Sequence, residues 1–477
     1  MGRRVRVRPT TWMGKGDAMV PDFDRGRPLM VFGGIPGEEA TVDVVHDGRN
    51  QSLGLWERSV EPHAHRVSPP CDRYRPCGGC PHMHLNPEGQ EGARRALVAD
   101  CLSEYGLDDV VLGEFHASPD GPRDFRHVIK VAVGVSDRGL LRLGAWGRGS
   151  RRVVPIPNCP VAAPVLRETM AALAYHVIDL DLRPYDPRTD RGVIRSIVLR
   201  ASRATQEVLI TLIVGRRVRE LSELADRVAG QVANVAGVWM HINTGAGNAI
   251  FSRDGEGVIG VRALLGKEVI EDTIAGVRYR VGPGDFFQTN PGTADLLYRR
   301  AMERAGIDKT SNVIDLYCGV GGLALAAAAR GAAWVLGAEE LEGAVTRARD
   351  NARINQLEAA FVTGRVEDSL PDLARRAKGL HPTVMVNPAR RGLEPGVLAG
   401  IVALKPERVM YVSCSPRAMA RDLAGLRAAG LVIGDIEMFD MFPHTPHVEC
   451  LVTLDNPEVK GQPRRRSPRR TVVRRKR

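Results

Sequence analysis

The hydrophobic pattern at the start of the chain predicts a small β domain. Short alternating apolar runs, such as Leu29 to Phe32 and Ala40 to Val45, are separated by the turns Gly33-Gly34 and Pro36-Gly37. Alternation over four to eight residues predicts half-buried strands, and several short strands joined by glycine turns are typical of a small barrel. We therefore predict a β-barrel domain over residues 1–66.

Residues 67–280 combine helical and strand-like patterns. Apolar residues recur at helical spacing between about residues 90 and 110, and apolar runs extend over His127 to Val133 and Val208 to Val214. Such a mixture of the two periods predicts a central α+β domain.

From residue 281 to 457, predicted strands and helices alternate regularly. Val313 to Cys318 is an apolar strand, a glycine loop over 319–322 follows it, and Leu323 to Arg330 favours helix. Regular alternation predicts an α/β domain with a doubly wound, mostly parallel, Rossmann-like sheet. Ligands in such domains bind at the carboxyl ends of the strands.

Composition places the chain among ordinary globular proteins. Its 477 residues are enough for several domains, and 43% of them are hydrophobic and 26% charged. No apolar run is long enough for a membrane-spanning helix, and the first residues lack the apolar core of a secretion signal. We therefore expect a cytoplasmic protein without a membrane partner, in which the eight cysteines are metal ligands, catalysts or core residues.

The net charge of +11 comes almost entirely from the end of the chain. Residues 459–477 contain ten Lys or Arg and no acid, which leaves about +1 for the remainder. A segment with so little apolar surface cannot form a core, so we predict that residues 458–477 are a disordered basic tail. Such a tail suits RNA phosphates, although a purely solubilising role is an alternative.

Three cysteines lie close together in the sequence. Cys71, Cys77 and Cys80 fall within ten residues, and Cys159 in a Pro-Asn-Cys-Pro segment is the best candidate for a fourth ligand. Four thiolates suit either a [4Fe–4S] cluster or zinc, and the spacing does not choose between them.

Two histidines beside this cluster are alternative ligands. His82 and His84 follow Cys80 closely, and their participation would favour zinc. We interpret them instead as histidines of the surface or of a turn.

Cys414 is the candidate nucleophile. It follows the apolar strand Arg408 to Tyr411 and precedes a helical pattern that begins near Arg417. A thiolate near a helix N-terminus is stabilised by the helix dipole. A free cysteine is more often a small buried core residue, but the rest of the chain favours the nucleophile.

Other polar residues are also predicted at strand ends. Glu339 lies twenty residues after Gly319, at the end of the second strand, where an acid can accept both hydroxyls of an adenosine ribose. A solvated helix cap is the alternative. Asn387 to Gly392 and Glu449 also fall at strand ends or in adjacent loops.

These segments, in this order, resemble the S-adenosylmethionine-dependent RNA uracil-5-methyltransferases. The iron–sulfur branch that methylates uracil in 23S ribosomal RNA is the most similar, and residues 34–38 resemble the signature of the RNA-binding TRAM domain. The segments that carry the resemblance are Gly34 to Glu38, the four cysteines, Phe286 to Asn290, Asp315 to Gly321, Asn387 to Arg390, Ser413 to Pro416 and His447 to Glu449.

The resemblance implies a role for each site residue. Cys414 would attack carbon 6 of the target uracil, and Glu449 would remove the proton from carbon 5 after methyl transfer. S-adenosylmethionine would be contacted by Gln288, Tyr317 and Glu339. The four cysteines would hold a [4Fe–4S] cluster, and RNA, most of all 23S rRNA, would be the partner.

The chain departs from the family pattern at three positions. Asn387 stands where the family usually has an aspartate that contacts cofactor and substrate, Gly322 stands where some relatives have a cofactor-contacting side chain, and Ser415 replaces the commoner asparagine. Asn387 motivates an alternative, a non-catalytic RNA-binding or assembly factor derived from such an enzyme. A transfer RNA substrate is a further alternative.

Overall fold

The computed structural model describes residues 3–12, 17–247, 249–252 and 259–459. These residues form four β-sheets and nine helices. Among the described helices, none is both long and apolar enough to cross a lipid bilayer. The predicted basic tail lies outside the described residues from position 460 onwards.

The N-terminal segment forms one six-stranded sheet in the order β1-β5-β6-β4-β3-β2. Its core consists of alternate residues such as Ala40, Val42 and Val44, which are buried, as strand periodicity requires. In the described residues the ladder runs from β1 to β2, and these two edge strands are not paired with each other. The strands are β1 (Arg3–Val7), β2 (Thr11–Trp12), β3 (Ala18–Asp24), β4 (Arg27–Phe32), β5 (Glu39–Asp47) and β6 (Ser52–Glu61).

The central segment forms a seven-stranded sheet in the order β10-β9-β8-β11-β12-β13-β14, covered by two helices. Strand β12, in the interior of this sheet, is buried along its whole length. The elements from residue 87 to 266 are α1 (Pro87–Ser103), β7 (Leu112–His116), β8 (Val128–Val135), β9 (Leu141–Trp146), β10 (Val153–Pro155), α2 (Pro164–Asp179), β11 (Ile194–Ala201), β12 (Val208–Val214), α3 (Glu220–Gln231), β13 (Val235–Ile242) and β14 (Val261–Gly266).

The C-terminal segment begins with a two-stranded hairpin and continues as an eight-stranded sheet. Its order is β19-β18-β17-β20-β21-β23-β22-β7, with β23 antiparallel to both neighbours. The elements are β15 (Ile270–Ile274), β16 (Val277–Val281), α4 (Pro291–Ala305), β17 (Asn312–Leu316), α5 (Gly322–Ala329), β18 (Trp334–Glu339), α6 (Glu342–Ile354), β19 (Ala360–Thr363), α7 (Val366–Arg376), β20 (Thr383–Val386), α8 (Pro395–Ala403), β21 (Arg408–Ser413), α9 (Pro416–Ala428), β22 (Val432–Phe439) and β23 (Glu449–Asp455).

Two hydrophobic cores cover the two faces of the eight-stranded sheet, as in a doubly wound α/β domain. Helix α5 is almost entirely alanine and leucine, the residues with the highest helix propensity, and its small side chains pack closely between strands. Helix α4 begins at Pro291, and the Asn290 side chain accepts a hydrogen bond from the Thr293 backbone N–H at 3.2 Å.

Strand β7 joins a different sheet from the one that the sequence predicted for it. Strand β7 was assigned to the central domain over 67–280, but it pairs with β22 at the edge of the C-terminal sheet, and α1 packs against α9. Val98, Leu102 and Leu107 accordingly belong to the core of that sheet. Residues 87–116 therefore contribute to the C-terminal layer, because β22 would otherwise be an uncovered edge strand.

Candidate active site

Cys414 and Glu449 lie at the end of β21 and the start of the neighbouring antiparallel strand β23. The ladder between these strands ends with Ser413 paired to Cys450, so Cys414, which directly follows β21, lies next to Glu449, the first residue of β23. The charge of Glu449 acts on the Cys414 thiol, as expected for two groups this close. Glu449 is buried and Cys414 is half-buried, so an enclosed carboxyl group lies beside a thiol that a substrate can reach.

Arg390 joins these two groups into one electrostatic site. Its guanidinium lies within hydrogen-bonding range of the Cys414 sulfur and interacts with the Glu449 carboxyl group. Arg390 follows β20 in the Asn-Pro-Ala-Arg segment and is otherwise exposed to solvent. A cation in this position favours both the thiolate and the carboxylate.

Burial sets the protonation of the site. It raises the pKa of Glu449 to about 8, with Arg390 opposing the shift. Burial, followed by the charge of Glu449, also raises the pKa of the Cys414 thiol, and Arg390 again acts in the opposite direction. Without bound substrate, most Glu449 side chains therefore carry a proton at neutral pH.

His447 is a weaker base than Glu449 in this site. Burial, followed by Arg390, lowers the pKa of His447 to about 4, so the ring is neutral at physiological pH. A general base is most effective when its pKa is near the operating pH. Glu449 is therefore the better candidate for proton removal.

We expect activity to rise with pH. If Glu449 is the base and Cys414 the nucleophile, each has to lose its proton before it can act, so kcat/KM should increase between about pH 6 and pH 9. The inflection should lie near the Glu449 pKa of about 8. Initial rates of methyl transfer from labelled S-adenosylmethionine measure this profile, with binding of the methyl donor at each pH as the control. A rate that is flat or that falls over this range would contradict the assignment.

A second set of polar groups surrounds the glycine loop after β17. The Glu339 carboxylate at the end of β18 accepts hydrogen bonds from the backbone N–H groups of Gly319, at 3.1 Å, and Leu341, at 3.0 Å. A Cβ atom on Gly319 would meet open space, so the loop backbone is accessible to a ligand. Glu339 is half-buried at the sheet edge, where an acid can meet ribose hydroxyls.

Asp315 places a further carboxyl group beneath this loop. Its Oδ2 accepts a hydrogen bond from the Ala324 backbone N–H at 2.8 Å, whereas Oδ1 is buried with no hydrogen-bond partner among the described residues. Burial raises the pKa of Asp315 to about 7, and the charge of Glu339 adds to the shift. A buried carboxylate oxygen without a partner fits a ligand that carries positive charge, as S-adenosylmethionine does.

Gln288 and Gly322 meet at Tyr298 of α4. The Gln288 and Tyr298 side chains are hydrogen-bonded, and a Cβ atom on Gly322 would lie 2.6 Å from the Tyr298 hydroxyl oxygen. The charge of Glu449 contributes to raising the pKa of Tyr298, so the two side chains lie close to each other. This cluster thus connects the predicted cofactor residues with Glu449, and it leaves no room for a side chain at position 322.

Tyr317 and Asn387 lie at the ends of the adjacent strands β17 and β20. Both are half-buried, and Tyr317 packs against the core on the face opposite Tyr298. Tyr317 has a positive φ of 66°, an uncommon conformation for a side chain of this size. The predicted cofactor residues therefore lie along the carboxyl ends of the parallel strands, on both faces of the sheet. Ligands of doubly wound α/β domains bind at these strand ends.

Three residues of this site were not singled out in the sequence. Arg390 was part of a recognised segment in which only Asn387 was assigned a role, so the signal was present. Asp315 likewise began a recognised segment without being assigned a role, whereas Tyr298 lies within a helical pattern that predicts ordinary packing. Their contribution depends on contacts between α4, β17 and the glycine loop, which periodicity does not predict.

The four cysteines of the central segment come together in space. All eight cysteines are free, and Cys71, Cys80 and Cys159 pack against Met83, Phe125 and Val161. The charges of Cys71, Cys77 and Cys159 each contribute to raising the pKa of Cys80 to about 12, after burial. Among the described residues, however, no group of three or more His, Cys, Asp or Glu side chains is arranged so that it could hold a metal ion.

His82 and His84 lie in a turn, as one of the two interpretations expected, but they are not surface residues. Both are almost fully buried, because the cysteine loop folds against the N-terminal sheet. The His84 ring lies 3.1 Å from the Gly34 carbonyl oxygen and 2.7 Å from the Tyr74 hydroxyl oxygen. Burial lowers the pKa of His84 to about 3, so the ring is a neutral structural contact between the two segments.

Comparisons with known proteins agree with the geometry of this site. Residues 258–457 match the family described as tRNA (uracil-5-)-methyltransferase. The chain is 33% identical to an uncharacterized RNA methyltransferase of Gloeobacter violaceus, over 95% of this chain and 97% of the relative. It is 31% identical to one of Listeria monocytogenes, over 90% and 93% of the two chains.

A solved structure is similar over nearly the whole length. The Pyrococcus abyssi tRNA (uracil-54, C5)-methyltransferase in complex with S-adenosyl-L-homocysteine superposes with a TM-score of 0.71 and 26% identity, over 94% of this chain and 100% of that one. The predicted class I methyltransferase domain is thereby confirmed. The chain belongs to the tRNA (uracil-5-)-methyltransferase family and is an S-adenosylmethionine-dependent RNA (uracil-5-)-methyltransferase.

Proposed function

We propose that this enzyme methylates carbon 5 of a uridine in 23S ribosomal RNA through a covalent adduct between Cys414 and the uracil. The observation that carries the proposal is the pair Cys414 and Glu449, adjacent at one sheet edge with Arg390 between them. The family assignment favours an enzyme over the non-catalytic factor that Asn387 suggested.

Carbon 5 of uracil is a poor nucleophile, which explains the need for a thiol. The Cys414 thiolate adds to carbon 6, and the electron pair of the 5,6 double bond moves into the ring as an enolate. Carbon 5 would then form a bond to the methyl group of bound S-adenosylmethionine as the bond between that methyl group and sulfur breaks, and S-adenosylhomocysteine would be the leaving group. Arg390 stabilises the Cys414 thiolate before attack.

The adduct must still lose a proton and release the enzyme. Glu449, as the carboxylate, takes the proton from carbon 5, the 5,6 double bond forms again, and the sulfur to carbon 6 bond breaks. The target base has to leave its stack to reach a thiol at the sheet edge, so a single-stranded or distorted RNA segment is the expected substrate.

Ribosomal RNA and transfer RNA are the two candidate substrates. The four clustered cysteines favour the ribosomal branch, by resemblance. Transfer RNA is the second candidate, because the similar Pyrococcus abyssi enzyme methylates tRNA at uracil 54. Cytoplasmic localisation fits either substrate.

Mapping 5-methyluridine distinguishes these substrates. We expect deletion of the gene to remove 5-methyluridine from 23S rRNA and to leave it in tRNA, because each such enzyme recognises one folded RNA context. Mass spectrometry of nucleosides from the separated RNAs, followed by sequencing of the affected rRNA, measures this. Complementation with the Cys414→Ala variant is the control. Loss of the modification from tRNA alone would favour the second candidate.

We propose that Cys71, Cys77, Cys80 and Cys159 hold a [4Fe–4S] cluster. The chemistry of the residues supports it: all four thiols are free, three of them pack on one apolar cluster, and the charges of the other three each act on Cys80, so the four lie close together. Binding would have to draw the thiols into a ligand set, since the described side chains do not yet form one. The cluster would fix the loop structure.

The anaerobically purified protein should be brown and contain about four iron atoms per chain. Cys80→Ser should remove most of the iron, because three thiolates and a weaker ligand hold a cluster less well. Iron analysis and visible absorption measure both, with Cys101→Ser as the matched control outside the group. A colourless protein that contains zinc would contradict the proposal.

The N-terminal sheet and the basic tail would help to bind RNA. We propose that the sheet corresponds to a TRAM-type domain, on the basis of residues 34–38. The tail, predicted over 458–477, would add phosphate contacts that weaken as the salt concentration rises.

A further inference from the structure

A cleft lies where the N-terminal sheet meets the cysteine loop. Its volume is about 490 Å³, within the range of small-ligand sites. We name it the arginine–aromatic cleft, and it shares no residue with the site around Cys414. It is lined by Phe32, Gly33, Leu55, Trp56, Arg66, Val67, Ser68, Pro69, Tyr74, Arg75, His84 and Arg148.

Arginines and aromatic rings are combined throughout this cleft. The Arg66 guanidinium carbon lies 4.3 Å from the centroid of the Trp56 ring. That of Arg148 lies 5.6 Å from the Phe32 centroid and 5.4 Å from the Tyr74 centroid. Planar guanidinium groups and aromatic rings are the two surfaces on which proteins stack unpaired bases.

The arginines are held in place before any ligand binds. Arg66 forms an ion pair with the buried Glu38 and donates a hydrogen bond to the Gly33 carbonyl oxygen at 2.8 Å. Arg148 Nη1 bonds to Asp17 at 3.1 Å, and its side chain is 90% buried. Arg148 Nη2 is buried with no hydrogen-bond partner among the described residues. One guanidinium donor is thus left for a further acceptor.

The Tyr74 ring is fixed in the same way. Its hydroxyl group lies 2.7 Å from the His84 ring, which in turn lies 3.1 Å from the Gly34 carbonyl oxygen. Since the His84 ring stays neutral, it adds no repulsion to the arginines. The buried histidine, which sequence reasoning misplaced, therefore supports one wall of the cleft.

The mouth of the cleft is apolar and positively charged. Leu55 and Val67 are each 40% exposed, an unusual degree for large apolar side chains that line a cavity. Arg75 is exposed, lies 5.9 Å from the Trp56 centroid and forms no ion pair among the described residues. No carboxylate lines the cleft, so an anionic ligand with a flat apolar part fits it best.

We propose that the arginine–aromatic cleft binds one unpaired nucleotide of the substrate RNA, distinct from the uridine that is methylated. The base would stack among Trp56, Tyr74 and the guanidinium groups, and Arg75 would contact its phosphate. The inference rests on the proposed RNA function. A good substrate would then need a second unpaired nucleotide that binds in the cleft, outside the active site. Substrate choice would therefore depend on the shape of the folded RNA. The cleft is too small for a duplex.

Photo-crosslinking of the full-length protein tests this. The probe is a single-stranded RNA of roughly twelve nucleotides that carries 4-thiouridine, compared with the fully paired duplex of the same sequence. We expect crosslinks from the single strand to the peptides that contain Trp56 and Tyr74, and few from the duplex. Trp56→Leu should weaken single-strand binding roughly tenfold, the effect of one lost stacked base.

Arg75→Ala provides a variant without a folding risk, because Arg75 is exposed. Its matched control is Arg49→Ala, which removes the same charge from an exposed position of the N-terminal segment outside the cleft. Arg75→Ala should weaken single-strand binding more than Arg49→Ala and reduce the salt slope by about one. Equal effects of the two variants, or equal crosslinking of single strand and duplex, would overturn the proposal.

The same preparations separate this inference from the proposed function. If RNA that contains 5-fluorouridine is trapped on Cys414 while no crosslink reaches the cleft, the cleft inference is wrong and the enzyme mechanism stands. If crosslinks reach the cleft and 5-fluorouridine RNA is not trapped on Cys414, the covalent mechanism is wrong and the cleft inference stands. Crosslinks that an acidic peptide displaces as readily as RNA does would indicate a protein partner and contradict the nucleotide proposal.

Discussion

Cys414→Ala is expected to abolish methylation, lowering kcat by roughly 10⁴-fold or more. Without a bond from sulfur to carbon 6, carbon 5 cannot gain the electron density that it needs to accept a methyl group. The side chain is small and half-buried, directly after a strand end, so the fold should tolerate alanine. Initial rates with labelled S-adenosylmethionine measure the loss.

Cys450→Ala is the matched control for this variant. Cys450 is the neighbour of Glu449 on β23, but it is buried on the opposite face of the sheet, in a different core. Its removal should cost some stability and leave the rate nearly unchanged. Binding of S-adenosylmethionine, measured by calorimetry, should be the same for Cys414→Ala and the unmodified enzyme. A Cys414→Ala variant that methylates at the normal rate would rule out the covalent mechanism.

Glu449→Gln is expected to lower turnover by about 10²–10⁴-fold and to make the covalent intermediate accumulate. Methyl transfer precedes proton removal, so the variant should form the methylated adduct and fail to release it. A protein–RNA complex that survives denaturing electrophoresis, formed with ordinary uridine and dependent on the methyl donor, would be observed. If turnover were normal, or lost without adduct, another group would be the base.

The same variant has a stability signature. The folded protein keeps a proton on Glu449 up to pH about 8, well above the ordinary range for a glutamate. Between the ordinary pKa of a glutamate and the raised pKa of Glu449, the folded state binds more protons than the unfolded chain. The free energy of unfolding therefore falls as the pH rises through this range. Glutamine cannot ionise, and Glu449→Gln should therefore have a higher Tm than the unmodified enzyme above pH 8. Glu458→Gln, which changes an exposed residue, should not show this difference.

The sequence was sufficient for the features that depend on local pattern. The alternation of strand and helix patterns and the glycine loop predicted the mostly parallel sheet. The same patterns predicted that Cys414 and Glu449 lie at strand ends, where the structure has them. The exception is β7, which joins the C-terminal sheet from a distant part of the chain. Strand periodicity shows that a strand exists, but it does not show which sheet the strand enters.

Electrostatic features were harder to predict than positions. Glu449 could be named from its place in the chain, but its raised pKa depends on burial and on Arg390, which come from different strands. His84 was misjudged for a related reason: its burial requires the cysteine loop to pack on Gly34, a contact between residues fifty positions apart. The arginine–aromatic cleft depends on that same packing, so no sequence motif indicated it.

Mass spectrometry of the enzyme after reaction with S-adenosylmethionine and an RNA that carries 5-fluorouridine gives the decisive observation. Fluorine at carbon 5 leaves Glu449 no proton to remove, so the adduct should remain after methyl transfer. We predict a peptide whose Cys414 carries one methylated 5-fluorouridine nucleotide, absent from Cys414→Ala. An unmodified Cys414 in an enzyme that methylates ordinary RNA under the same conditions, or an adduct on another residue, would contradict the mechanism.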